Sequence, residues 1–258
     1  MSFSDDEIER YARHLVLSEL GGPGQQRLKA ARVGLIGMGG VGSPAALYLA
    51  AAGVGTLRLI DDDTVALSNL QRQIAFSGPD IGRPKVEAGA ERLAALNAHV
   101  SVEPVTERLN PDTAARLLAD CDLVIDGTDD FATRFAVSDA CLAAGLPLVS
   151  GALGRWGGQV AVFTGRPCYR CLVPESPPEA ETCAAVGVVG AVAGVVGSMA
   201  ALEAIKLIAG AGTPLTARML IYDGLAGTAR TLAIAADPAC PACGQASGAR
   251  TEGTGADQ

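Results

Sequence analysis

Four cysteines fall in two C-x-x-C pairs, Cys168 and Cys171 in CYRC and Cys240 and Cys243 in CPAC. Two such knuckles supply four thiolates, the tetrahedral set of a structural Zn2+, with no coordination position left open for catalysis. The pairs stand far apart in the chain. A metal between them would staple the chain's end onto the sheet; a disulfide or redox pair is the alternative. Upstream, GMGGVG places Gly37, Gly39, Gly40 and Gly42 after an apolar run, with Asp61 about twenty residues further on. Glycine lets a phosphate approach the backbone, and free N–H groups at a helix start favour an anion. Asp61 is placed to accept hydrogen bonds from ribose hydroxyls. The loop lacks the GK[ST] ending of a P-loop, does not choose between NAD and ATP, and leaves tight packing as the bland alternative.

The next residues bear on that choice. SNLQRQ (Ser68 to Gln73) and GRPK (Gly82 to Lys85) follow the acidic strand end. Hydride transfer needs a nicotinamide pocket and has no use for Arg72 and Lys85 beside a pyrophosphate. A reaction at phosphorus does, because negative charge builds on the transferring group and the leaving pyrophosphate. Asn69 can donate to a phosphate oxygen, and Ser68 belongs to the same run. A later strand ends in DGTDD, Asp126 to Asp130. Carboxylates at a strand's C-terminal end beside a polyphosphate suit Mg2+. Asp129 is the favoured magnesium or phosphate-side residue and Asp126 the more structural one. Capping of the following helix by Asp129 or Asp130 is the competing role, and both can coexist.

Those residues need a scaffold that gathers strand ends. Ser4 and Glu7 form an S-x-x-E capping box for a first helix, and a Gly-Gly-Pro-Gly turn at Gly21 to Gly24 precedes a second. From Val33 the chain alternates strands (33–36, 56–60, 100–104, 123–125, 148–149) with helices (44–52, 85–96, 113–118, 135–144). Such alternation predicts an α/β, Rossmann-like, doubly wound and mostly parallel sheet. Strands near 159–164, 220–222 and 228–234 extend it as antiparallel additions. The expected organisation is one domain over 1–245, with a nucleotide-binding half at about 30–150, a second half carrying the zinc site at about 151–245, and a disordered tail at 246–258.

Composition narrows the functions. The 258 residues carry 20 Lys plus Arg against 28 Asp plus Glu, a net charge of −8, which gives free nucleic acid no electrostatic footprint. The acidic start MSFSDDEIERY has no apolar signal region, and paired cysteines favour a reducing compartment, so a cytoplasmic protein is expected. Cys183 to Leu202 is uncharged but rich in Ala, Gly and Val; a buried small-residue helix is favoured over a membrane span. Cys121 and Cys141 sit in apolar contexts and read as core, and His14 and His99 lack ligand spacing. Cys183 precedes the Gly-rich helix, where a dipole would favour its thiolate; a buried cap residue is the alternative.

GMGGVG, Asp61, SNLQRQ, GRPK, DGTD, CYRC, the loop ending in Cys183 and the closing CPACGQ occur together in an order that resembles the ThiF/MoeB/HesA family of E1-like adenylyltransferases. The similarity runs from about Glu9 to Gln245, including ERYARHLVL. The resemblance implies that ATP, with Mg2+, adenylylates the C-terminal glycine of a ubiquitin-like sulphur-carrier protein ending in Gly-Gly. Acyl-AMP and pyrophosphate form ahead of thiocarboxylate formation for thiazole or molybdopterin synthesis. By position it assigns the ribose to Asp61, the phosphates to Asn69, Arg72 and Lys85, and the magnesium to Asp129. It assigns Arg13 to the partner's site across a homodimer, Cys183 to a carrier conjugate, and the four paired cysteines to zinc. Asp130 departs from the Asn of many relatives. No rhodanese-like extension follows Gln245, which implies a separate sulphur donor. VSGALGRWGGQV and PPEAETCAAVGVVG lean towards the thiazole branch.

Two other classes compete. An NAD-dependent oxidoreductase would use the same loop, but Arg72, Lys85 and the four cysteines argue against it. A non-catalytic E1-like adaptor would bind a carrier without forming an adenylate, and such halves typically lose the phosphate-side cations that this chain keeps.

Overall fold

The structure is a computed structural model that describes residues 2–176 and 187–244. Ser4 caps α1 (Asp5–Arg10): its hydroxyl accepts the Glu7 N–H at 3.2 Å, and the Glu7 carboxylate accepts the Ser4 N–H at 2.9 Å. The capping box read from S-x-x-E is therefore present. A single turn, α2 (Ala12–Leu15), leads on to α3 (Gly21–Ala30). The Gly21 to Gly24 stretch is thus the first turn of a helix rather than a separate turn. Pro23 is tolerated there because the first-turn N–H groups have no intrahelical acceptor to lose.

The alternating units then appear in order: β1 (Arg32–Ile36), α4 (Gly42–Ala52), β2 (Thr56–Ile60), α5 (Lys85–Leu96), β3 (Ser101–Val105), α6 (Ala114–Leu117), β4 (Leu123–Asp126), α7 (Phe131–Ala144) and β5 (Leu148–Gly154). These five strands pair in parallel. After them β6 (Gly157–Phe163), α8 (Tyr169–Leu172), α9 (Gly190–Ala209), β7 (Arg218–Asp223) and β8 (Thr228–Ala233) follow, the three strands pairing antiparallel. The sheet order is β3-β2-β1-β4-β5-β6-β7-β8. This is the mixed α/β sheet expected from the alternation, with the antiparallel extension on one side. Pro104 lies in β3, at the sheet edge, where a residue without an N–H costs no ladder bond.

The central strands are covered on both faces, which is why they read as unbroken apolar runs: Val33, Leu35, Val124 and Ile125 are all fully buried. Each buried Leu or Ile contributes about 1.5–3 kcal/mol. One face is closed by α9, which packs on α3, α4, β5 and β6. Its small residues permit this: a Cβ on Gly197 would stand 2.3 Å from Pro44 Cγ. By length and composition α9 could cross a membrane. Here it is a core helix, with Val192, Ala193, Val196, Ala200 and Ala204 buried against its neighbours.

Candidate active site

The chain leaves β1 towards β2 and β3 on one side and later returns to place β4 and β5 on the other. The direction reverses between β1 and β4, which stay paired to their ends at Ile36 and Asp126, and the space just beyond those carboxyl ends is the usual ligand position in such sheets. A cleft of about 320 Å3 occupies this point. Gly37 forms its floor with φ +84° and donates its N–H to Ile60 O at 2.9 Å. Gly42 is fixed by packing, since a Cβ there would lie 1.8 Å from Gly37 O. Gly39 differs: a Cβ there would meet nothing nearer than Gln73 Nε2 at 3.9 Å. Folding does not require glycine at that position, and the open space faces the cleft.

Gly37, Gly39, Gly40, Asp61, Asn69 and Arg72 line this cleft, as do Lys85, Asp129 and Asp130. Asp61 Oδ2 accepts the Met38 N–H at 2.6 Å and its Oδ1 accepts the Asp63 N–H at 2.8 Å, tying the glycine turn to the end of β2. Burial pushes the Asp61 carboxyl above its ordinary range, and the nearby Lys85 charge works against that rise. Lys85, the first residue of α5, is buried and places Nζ 2.7 Å from Asp63 Oδ2. Arg72 donates to Ser68 O at 3.0 Å, so Ser68 supports it through the backbone, while the Ser68 side chain is exposed outside the cleft. Asn69 Oδ1 accepts the Ala66 N–H at 3.0 Å.

Asp126, at the end of β4, is 1% exposed. Its Oδ1 accepts from Thr128 N at 2.9 Å and Thr128 Oγ1 at 2.7 Å, which makes it a structural residue. Asp130 caps α7, accepting the Thr133 N–H at 2.8 Å, and Asp129 stands between them in the cleft wall. Asp61, Asp62 and Asp63 also converge closely enough to hold a cation, but Asp63 is paired with Lys85, and Asp62 with Arg108 at 3.4 Å. Arg13 is exposed on α2, outside the cleft of its own chain. Cys183 and the tail at 246–258 lie outside the described residues.

Two cleft residues carried no assignment from the sequence. Arg134 is 6% exposed and its Nη2 donates to Gly151 O at 2.8 Å and to Thr128 O; its Nη1 lies 3.7 Å from Asp126 Oδ2. Burial opposes its charge, and Asp126 and Tyr169 outweigh that, so its pKa stays raised. It ties the loop after β4 to β5. A lone arginine inside a helical segment looks solvated; the only signal was its i+4 spacing from the Asp130 cap. Gln73 is 3% exposed, lines the cleft, and is the one described residue with a buried side-chain atom, Oε1, lacking a partner. It sits inside SNLQRQ, a run read for its charges.

Away from the cleft, the sulphurs of Cys168, Cys171, Cys240 and Cys243 lie within 4.8 Å of one another. The Cys168–Cys240 and Cys171–Cys243 sulphurs are 3.5 and 3.3 Å apart. A tetrahedron of Zn–S bonds of about 2.3 Å has sulphur–sulphur edges of roughly 3.8 Å, so this set can hold zinc with small adjustment. It joins α8 to the segment after β8. Cys121 and Cys141 are buried as expected, and burial pushes the Cys141 thiol up to about 12, which keeps it protonated.

The model of the ThiF family matches residues 11–242. The molybdopterin-synthase adenylyltransferase of Escherichia coli is 44% identical over 245 residues, covering 94% of this chain and 98% of that protein. The sulfur carrier protein ThiS adenylyltransferase of the same organism is 43% identical over 244 residues, covering 93% and 97%. Among solved structures, that of E. coli MccB shares the fold, with a TM-score of 0.81 at 23% identity over 94% of this chain and 74% of that one.

Proposed function

This chain belongs to the ThiF family, and from that premise we propose that it uses ATP to adenylylate the C-terminal glycine of a ubiquitin-like sulphur-carrier protein. It is an enzyme, an adenylyltransferase of sulphur carriers. The observation that carries the reading is the meeting of Arg72 and Lys85 with the glycine turn and Asp61 in one cleft at the switch point.

The triphosphate lies along Gly37 to Gly40, with its ribose hydroxyls donating to Asp61 and its phosphates taking donors from Asn69, Arg72 and Lys85. The carrier's terminal carboxylate attacks the α-phosphorus; the new O–P bond forms as the bond to the β-phosphate oxygen breaks and pyrophosphate leaves. Charge that accumulates on the leaving group is met by Arg72 and Lys85, two cations that line the cleft without substrate, which favours little reorganisation during the step. Asp129 would hold Mg2+, which neutralises phosphate charge when bound. The four cysteines would hold Zn2+, which would tie the segment after β8 to α8.

A homodimer belongs to the same reading, in which Arg13, exposed and outside the lining of its own cleft, would complete a partner's. Cys183 would form the carrier conjugate, with a separate protein donating sulphur, in the cytoplasm. The molybdopterin and thiazole relatives are matched almost equally, so identity does not choose the carrier. The test is intact-mass spectrometry of ThiS-type and MoaD-type carriers incubated with the enzyme, ATP and Mg2+. One carrier is expected to gain an adenylyl group. A carrier that binds yet never gains it would move the chain to the adaptor class, and a change in nicotinamide absorbance in place of adenylylation would move it to the oxidoreductases.

A further inference from the structure

Gln73 follows the cationic Arg72 directly, and its backbone N–H bonds Asn69 O at 2.9 Å. Its carboxamide is a different matter. Nε2 faces Gly39, 3.9 Å from where a Cβ would stand, and Oε1 is buried with no donor among the described residues. Leaving a buried acceptor unmet is a cost that folded proteins rarely accept without a reason. A methionine or leucine of similar volume would fill the same space without it. The polar group therefore serves something other than the fold.

The chemistry of the orphan atom limits what that is. Phosphate oxygens only accept, so a triphosphate on the glycine turn cannot satisfy a carbonyl. Ribose hydroxyls are assigned to Asp61. The other substrate offers a donor and an acceptor side by side: an extended tail turns the N–H and C=O of one residue to the same side, the pattern by which two antiparallel strands exchange both bonds. A carboxamide carries the matching pair, and its last torsion is broad, so it can turn to the cleft without backbone movement.

We propose that Gln73 is the residue that grips the carrier's tail, pairing Oε1 and Nε2 with the N–H and C=O of one glycine beside the α-phosphorus. This rests on the adenylylation reading and adds to it a residue for the peptide rather than the nucleotide. It also accounts for a glycine at 39, where a side chain would lie between the tail and the carboxamide.

The experiment compares the wild type with Gln73→Met and Gln73→Glu, using the ThiS-type or MoaD-type carrier that supports pyrophosphate exchange in the wild type. For Gln73→Met the expected result is an unchanged or raised melting temperature without substrates, a KM for carrier raised about tenfold or more, equivalent to about 1.4 kcal/mol, and a KM for ATP within about twofold. Gln73→Glu keeps the acceptor, loses the donor, and is expected to be impaired in the same direction. A lower melting temperature or misfolding of Gln73→Met with normal carrier kinetics in the folded fraction would make Gln73 a structural residue and overturn the proposal. So would a raised KM for ATP with the carrier KM unmoved. If the wild type supports no exchange with any Gly-Gly carrier, the adenylylation reading itself fails, an outcome distinct from either.

Discussion

Lys85 Nζ lies 2.7 Å from Asp63 Oδ2, but the two side chains sit in different surroundings, 6% and 67% exposed respectively. The ammonium is held inside the cleft wall by a carboxylate that water can reach. Removing the lysine leaves Asp63 to be solvated, whereas removing the carboxylate leaves a buried ammonium short of a partner. Asp63→Asn is therefore expected to cost more stability than Lys85→Met, by about 1–2 kcal/mol, in urea denaturation. In pyrophosphate exchange the order reverses, with Lys85→Met losing about 100-fold or more and Asp63→Asn far less. Equal stabilities would mean the pair is not asymmetric in solution.

Asp130 combines a place in the cleft wall with a structural role. The carboxylate accepts the Thr133 N–H at 2.8 Å as the N-cap of α7, a bond that an asparagine oxygen makes equally well. Asp130→Asn is expected to shift stability by less than about 0.5 kcal/mol, and Asp130→Ala to cost about 1 kcal/mol. Asp129→Ala, which removes no cap, is expected to abolish exchange while the melting temperature holds. Full activity in Asp129→Ala would remove that residue from the nucleotide site.

Zinc held by the four clustered cysteines would have its own signature. One equivalent of metal should be released by a strong chelator or by denaturation with a thiol reagent. Cys240→Ser is expected to lower stability by about 3 kcal/mol, roughly 6–12 °C in melting temperature for a chain of this size. A metal-free preparation that melts at the same temperature would show that the four thiols need no ion.

Glu7 links α1 to α3 through Lys29, whose Nζ lies 2.7 Å from its carboxylate. The Lys29 hydrogen bond, opposed by burial and aided by the Ser4 N–H, holds the Glu7 carboxyl below the usual range. A depressed folded-state pKa contributes stability at neutral pH that is lost as pH falls below the ordinary glutamate value of about 4.3. The stability gap between wild type and Glu7→Gln is therefore expected to be largest near neutrality and to close in acid. A gap that is constant with pH would mean that the ion pair contributes nothing.

How far the sequence reached is visible in these residues. Strands buried on both faces announce themselves as apolar runs, and the Ser4 box, the glycine turn and the paired cysteines are local signals, so the parallel sheet and the clustering of the four cysteines were legible. The first turn of α3 was not, because Gly-Gly-Pro-Gly signals a turn unless the packing of Gly24 against Leu20 and Ala209 is known. The charged half of the cleft was readable from Arg72 and Lys85. Gln73 and Arg134 were not, since a neutral amide and a lone arginine acquire meaning only through burial. Ser68 was grouped with Arg72 by adjacency in the run, and its contribution comes from a carbonyl that any residue has.

In the proposed reaction, Arg72 and Lys85 beside the glycine turn ease displacement at the α-phosphorus by a carrier's carboxyl terminus. Carrier-dependent exchange of labelled pyrophosphate into ATP, run on wild type and Arg72→Ala after both are confirmed folded by thermal melting, tests it most directly. Robust exchange is expected in the wild type and a loss of about 100-fold or more in the variant. Undiminished exchange by Arg72→Ala, or none by the wild type with any Gly-Gly-tailed carrier, would rule this reaction out.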